Sequence, residues 1–354
     1  MTANPSITNP DMKTTVDNER IIHSVKTALA CLVGLSLAKI VHFAIDQWLI
    51  ITIVVVMCGQ VNVGSVLTKS KMRFLGTLSG SLIAALTLAM FDTNKIAAAF
   101  VIALSSAGFS YIATSEKSYS DAGTLGAVTV IIILIGQNPT LYTAMHRTLE
   151  ISAGILIAAL FSQFVLPIRA RDHLRSMQAK TIAQLRTYYH FSLIEKTDEN
   201  TILDIDENIV KSLAAQRKLA KEASREPFGM QFDATQFNKL LRCEKEIFRG
   251  IVCMHYACDM LPTQKNVLAN MPAIKNFHQF MLTALEKIVA GINSKNLANE
   301  TVTVPSIQPL KDTINVLRVS THQDDLIYMD GFLFCAEILV IQLTELVILT
   351  THSK

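Results

Sequence analysis

Long apolar runs with short polar punctuation fill the first half of the chain, and mixed amphipathic segments fill the second. Six runs approach the roughly 20 residues that a helix needs to cross a bilayer: 27–45, 48–66, 74–91, 96–114, 122–137 and 148–166. Charges or turn formers bound them, as in Asp92-Thr93-Asn94-Lys95 and Asn138-Pro139. The pattern predicts an all-α, polytopic membrane protein. Residues 1–20 read as a polar leader, 21–168 as a domain of six transmembrane helices, and 169–354 as a cytoplasmic helical bundle. The last apolar run, 331–349, is interrupted by Glu337, Gln342 and Glu345, so it reads as a helix buried in the bundle or at a dimer contact.

Charge sharpens that division. Of the Asp, Glu, Lys and Arg residues, 18 lie in 1–168 and 43 in 169–354. The second half carries 22 bases against 21 acids, which excludes a nucleic-acid surface. With the N-terminus inside, Lys13, Arg20, Lys26, Lys69, Lys71, Arg73, Lys117, Arg169, Arg171 and Arg175 fall on the cytoplasmic side. Lys39, Lys95 and Arg147 fall near the outer side. That asymmetry places both termini in the cytoplasm of a multi-pass inner-membrane protein. Six scattered cysteines suit reduced thiols rather than a disulfide framework. The Cys253-x-His255-x-x-Cys258 spacing matches no common zinc site, and the sequence calls for no metal, cofactor or catalytic residue.

The membrane half contains a repeat. Residues 73–86, RFLGTLSGSLIAAL, match 147–160, RTLEISAGILIAAL, at 8 of 14 positions. Earlier, TIVVVMCGQ (52–60) resembles TVIIILIGQ (129–137), at an offset of 77 rather than 74. A unit of three spans enters the membrane the other way up in its second copy, so the expectation is a three-plus-three inverted repeat. It would set Arg73 and Arg147 at their helix N-termini, at opposite mouths of a shared path for an anion. Arg73 also fits a snorkelling interfacial residue, whereas Arg147 stands where bases are scarce. Glu150 is its simplest partner, one turn on.

Gly76, Gly80, Gly154 and Ala158 read as small residues that let helices approach closely. Arg20, His23 and Lys26 form a row at i, i+3 spacing, either a solvated helix end or an anion-attracting face. Gln60 and Gln137 close repeat-related segments, where a carboxamide either donates to an anion or caps the helix.

These residues carry a resemblance. The run 48–80, WLIITIVVVMCGQVNVGSVLTKSKMRFLGTLSG, the helix HSVKTALACLVGLSLA and the Arg147-x6-Gly154 pattern resemble the fusaric acid resistance superfamily. That group includes bacterial aromatic-acid exporters and plant aluminium-activated malate transporters. The segment Arg225-Glu226-Pro227 is similar to one in the plant branch, although Cys58-Gly59-Gln60 replaces an acidic residue usual there. The resemblance implies a transporter or channel that exports small organic anions, aromatic or dicarboxylic acids, through the lipid bilayer; the repeat and the helix ends make Arg73, Arg147, Lys26, Gln60 and Gln137 its candidate contacts. Because many relatives carry two membrane units and this chain carries one, it also implies a homodimer. The competing function is a non-transporting scaffold or sensor whose bundle binds a cytoplasmic partner.

Overall fold

Among the described residues, prolines lie outside helices or in their first turns, as Pro309 does in 308–318. None occurs between Pro10 and Pro139, and Pro10 and Pro272 each open a helix, where a missing N–H costs nothing. The computed structural model describes residues 10–41, 47–115, 119–136, 139–193, 199–227, 232–260, 270–294, 302–318 and 323–351. Among them are helices and no strands. Gln137 lies outside the described residues.

In the first half the helices are α1 (Pro10–Val41), α2 (Gln47–Met57), α3 (Val63–Phe91), α4 (Lys95–Ser115), α5 (Ser120–Ile135) and α6 (Leu141–Phe164). The second half holds α7 (Ala170–Leu193), α8 (Glu199–Ala223), α9 (Ala234–Asp259), α10 (Pro272–Ser294), α11 (Gln308–Arg318) and α12 (Gln323–Thr351). The chain divides into two compact units, Met1–Ala170 with Arg225–Gly229, and Arg171–Ser224 with Met230–Lys354.

In the first unit, α1, α3, α4 and α6 are long and apolar enough to cross a membrane, while α2 and α5 are apolar but short. This corrects the expected second and third spans. The apolar run 48–66 breaks at the turn after Met57, so α2 has 11 residues and rises only about 16 Å. The helix expected to start at Phe74 instead starts at Val63, through Lys69 and Lys71. Asn94 Oδ1 caps α4 by accepting from the N–H groups of Ile96 and Ala97, and Thr140 Oγ1 caps α6 by accepting from Thr143. Ile96, Phe100, Leu104 and Tyr111 of α4 are 73–79% exposed, an apolar face suited to lipid rather than water.

Close backbone approach sets the packing. A Cβ on Gly76 would come within 2.4 Å of the Ala122 carbonyl, and one on Gly80 within 2.5 Å of that of Gly126. The contacts advance together, so α3 and α5 run parallel. A Cβ on Gly154 would meet the Leu49 carbonyl at 2.7 Å, which pairs α6 with α2. Two apolar clusters result. One joins Ile53, Val56, Met57 and Ala158; the other joins Val130, Ile133, Leu134 and Ala84. These members correspond one to one at the repeat offsets of 77 and 74.

The second unit is a helical bundle with its own core. On α12, Met329, Phe332, Ala336, Leu339, Leu343 and Leu346 are buried at alternating three- and four-residue steps. On α9, Phe237, Leu240, Glu244, Ile247, Ile251 and Met254 do the same. Both are heptad seams, and Gly250 admits Leu339 closely between them. Thus α12, although long and apolar enough to cross a membrane, lines this core. None of the six cysteines is in a disulfide, and Cys58 and Cys253 are exposed.

Candidate functional site

Arg73 lies ten residues into α3, about 15 Å from its start, and is 4% exposed. Arg147 lies six residues into α6 and is half-buried. Neither stands at a helix N-terminus, which corrects the expected macrodipole argument. Nor do they mark separate mouths. Both line one small cavity, together with Trp48, Thr77, Thr129 and Ile151. Thr77 and Ile151 are themselves separated by the repeat offset of 74.

The guanidinium groups are held but not saturated. Arg73 Nη2 donates to Thr52 Oγ1 at 3.1 Å, and Asp121, in the first turn of α5, attracts it electrostatically. Arg147 places its guanidinium carbon 4.9 Å from the Trp48 ring centroid, a cation–π contact. Glu150, fully buried one turn further along α6, attracts Arg147 as the sequence spacing suggests. Even so, Arg73 Nε and both Nε and Nη1 of Arg147 are buried without a hydrogen-bond partner among the described residues. A guanidinium has five donors and no acceptor, and buried donors left unpaired are costly. Two cations therefore border one cavity, and three of their N–H groups have no partner among the described residues.

Its size limits what fits. The space open to the centre of a water molecule is about 20 Å³. One water needs roughly 10–15 Å³ by that measure, whereas pockets for small organic ligands run to hundreds. In this conformation the cavity is too small for an organic ligand.

The other expected contacts lie elsewhere. Lys26 is fully buried, one turn from Ala30 in the first apolar cluster, and its Nζ has no hydrogen-bond partner among the described residues. His23 is also buried while Arg20 is exposed, so the row is solvated only at its first member. His23 Nε2 sits 3.0 Å from the Met57 carbonyl oxygen, and the Gln60 N–H donates to that same oxygen at 3.1 Å. Gln60 thus belongs to the turn that closes α2 and does not line the cavity. Gly76, Gly80, Gly154 and Ala158 are all buried at helix contacts.

A model of the fusaric acid resistance protein family matches residues 20–243, a stretch that contains every cavity residue. The chain belongs to that family. It is also 24% identical to the inner membrane protein YeeA of Escherichia coli (strain K12) over 323 residues, covering 86% of this chain and 85% of that protein. This member of the fusaric acid resistance family is accordingly a multi-pass membrane protein.

Sequence reasoning missed Trp48, Thr52, Thr77, Asp121 and Thr129 as site residues. A signal existed for two of them. Thr52 and Thr129 head the matched segments of the repeat, and the structure places the first on Arg73 and the second in the cavity wall.

Proposed function

We propose that this protein is an inner-membrane transporter that moves small organic anions, aromatic or dicarboxylic acids, outward. One observation carries the reading: two repeat-related arginines, with buried N–H groups unspent, line one small cavity. Two cations at one cavity favour a carboxylate, which accepts paired hydrogen bonds from a guanidinium. A passive scaffold has no use for unpaired buried donors.

The inverted repeat supports the same reading. The α3–α5 pairing at Gly80 matches the α6–α2 pairing at Gly154, and the two apolar clusters match residue by residue. The short helices α2 and α5 occupy corresponding positions in the two halves, and both contribute to the cavity wall. Short segments so placed are where transporters of inverted-repeat build hold their substrates. Both termini lie in the cytoplasm in this account, and the second unit is cytoplasmic. The chain works as a homodimer and catalyses no chemical reaction. Ile327, Phe334, Ile341 and Ile348, exposed at seven-residue steps on α12, form a row suited to a second copy.

The test is purified protein in liposomes loaded with benzoate, malate or choline. Carboxylate release above that of protein-free liposomes, with choline retained, is the expected result. Choline release equal to that of the carboxylates would remove the assignment of anion selectivity, and no release of any solute would favour the scaffold.

A further inference from the structure

The second unit carries a pocket built from residues that the transport reading does not use. It lies between α8 and α9, with about 550 Å³ open to water-sized molecules, within the range of small-ligand sites. Its walls are chemically divided. Arg217 and Lys221, one turn apart on α8, face Arg242 and Lys245, one turn apart on α9. Phe232 and the buried Phe237 supply an apolar surface beneath them.

Four like charges converge there without an answering acid. None of the four bases forms an ion pair with a described residue. No acid is among the lining residues: Glu246 pairs with Arg249 at 2.8 Å, Asp233 accepts from the N–H groups of Thr235 and Gln236 to cap α9, and Glu222, next to Lys221 on α8, does not line the pocket. Glu244 is fully buried in the core. Burial, with Arg217 and Arg249 beside it, lowers the pKa of Lys245, the response of an ammonium among other cations. Arg217, Lys221 and Arg242 are exposed and Lys245 is half-buried, so water screens much of their repulsion and an anion among them relieves the remainder.

The apolar surface narrows the class of anion. Inorganic phosphate would use the bases and leave the apolar wall unused. A nucleic acid needs a long basic stripe, whereas this unit is nearly charge-neutral. An aromatic ring against Phe232 and Phe237, with a carboxylate turned to the arginines, uses both walls.

We propose that this pocket is a binding site for a small aromatic carboxylate, distinct in its residues from the Arg73–Arg147 cavity. It gives the bundle a receptor for that class of anion, and it does not depend on the transport reading. The probe is 4-fluorobenzoate, followed by fluorine NMR on the full-length protein in nanodiscs. The Arg147→Gln background removes the membrane cavity as a competing site. Saturable binding is expected there, weakened about tenfold or more by the double change Arg217→Gln with Lys245→Gln, which removes two charge-assisted contacts. Arg242→Gln should weaken it too, and a thermal melt confirms that each variant is folded. Three results would overturn the proposal: no saturable binding in the Arg147→Gln protein, unchanged affinity in the folded double variant, or displacement of the probe by an equal concentration of inorganic phosphate.

Discussion

Arg73 Nη2 donates to Thr52 Oγ1 across 3.1 Å, and this bond ties α3 to α2 beside the cavity. Thr52 is fully buried, so water cannot replace the hydroxyl. Thr52→Val keeps the shape and deletes the acceptor, leaving a further guanidinium N–H unpaired. The expected cost is about 1–3 kcal/mol of stability, with a fall in anion flux. Thr52→Ser, which retains the hydroxyl, should keep most of both. Melting temperature and liposome flux measure the pair, and a Thr52→Val protein equal to the parent in both would show that the bond is incidental.

Gly80 and Gly154 sit where a methyl group would press on backbone. The Gly126 and Leu49 carbonyl oxygens lie 2.5 and 2.7 Å from the added Cβ, and neither can move without shifting a helix. Gly80→Ala and Gly154→Ala should each destabilise by about 1–3 kcal/mol. Gly108 of α4 has nothing within 4 Å, so Gly108→Ala should stabilise by about 0.5–1 kcal/mol through helix propensity alone. Equal effects at all three sites would contradict close approach as the reason for the first two glycines.

Glu244 gives the second unit a pH dependence. Burial pushes its carboxyl up to about 8, against an opposing hydrogen bond from Gln216 Nε2 at 2.7 Å. The folded state then holds a proton that the unfolded chain releases at the ordinary carboxylate value, so stability falls as pH rises towards and through about 8. His278 acts in the other direction. Burial and His190, 3.3 Å away, lower it to about 4, so its contribution is lost as pH falls below 6.5. The window above pH 6.5 therefore isolates Glu244. Between pH 6.5 and 8.5 the parent should lose roughly 2 kcal/mol that Glu244→Gln retains. Denaturation at several pH values measures this, and parallel curves for the two proteins would remove Glu244 as the cause.

The repeat was legible because close helix contacts demand the same small residues in both copies. Aligning the copies thus found Arg73 with Arg147 and Gly80 with Gly154 without any structure. The break between α2 and α3 was missed although Gly59, Gln60, Asn62 and Gly64 mark it, because the valines between them keep 48–66 apolar on average. Polar Lys69 and Lys71 likewise disguised the first turns of α3, and so the depth of Arg73. Lys26 was misjudged for a related reason: beside Arg20 and His23 it reads as a solvated face, yet α1 turns it into an apolar cluster. The α12 seam could be read in advance, since its acids fall between the buried positions. Glu244, a carboxyl on such a seam, gave no sign in the charge count. The basic pocket was equally hidden, because Arg217, Lys221, Arg242 and Lys245 belong to two helices whose pairing only the fold supplies.

The most direct test of the central claim is benzoate flux through liposomes containing Arg147→Gln, normalised to folded protein. Trp48, the only tryptophan in the chain, lies against this arginine and reports the cavity by its fluorescence. Fully buried Glu150 loses its attracting cation in this variant, so flux is compared only for protein that a thermal melt shows to be folded. Flux should fall at least about tenfold, the loss of one charge-assisted contact or more, and benzoate should no longer quench Trp48. Undiminished flux from folded Arg147→Gln protein would contradict the account, and would leave Arg147 as a cation resting on an aromatic ring.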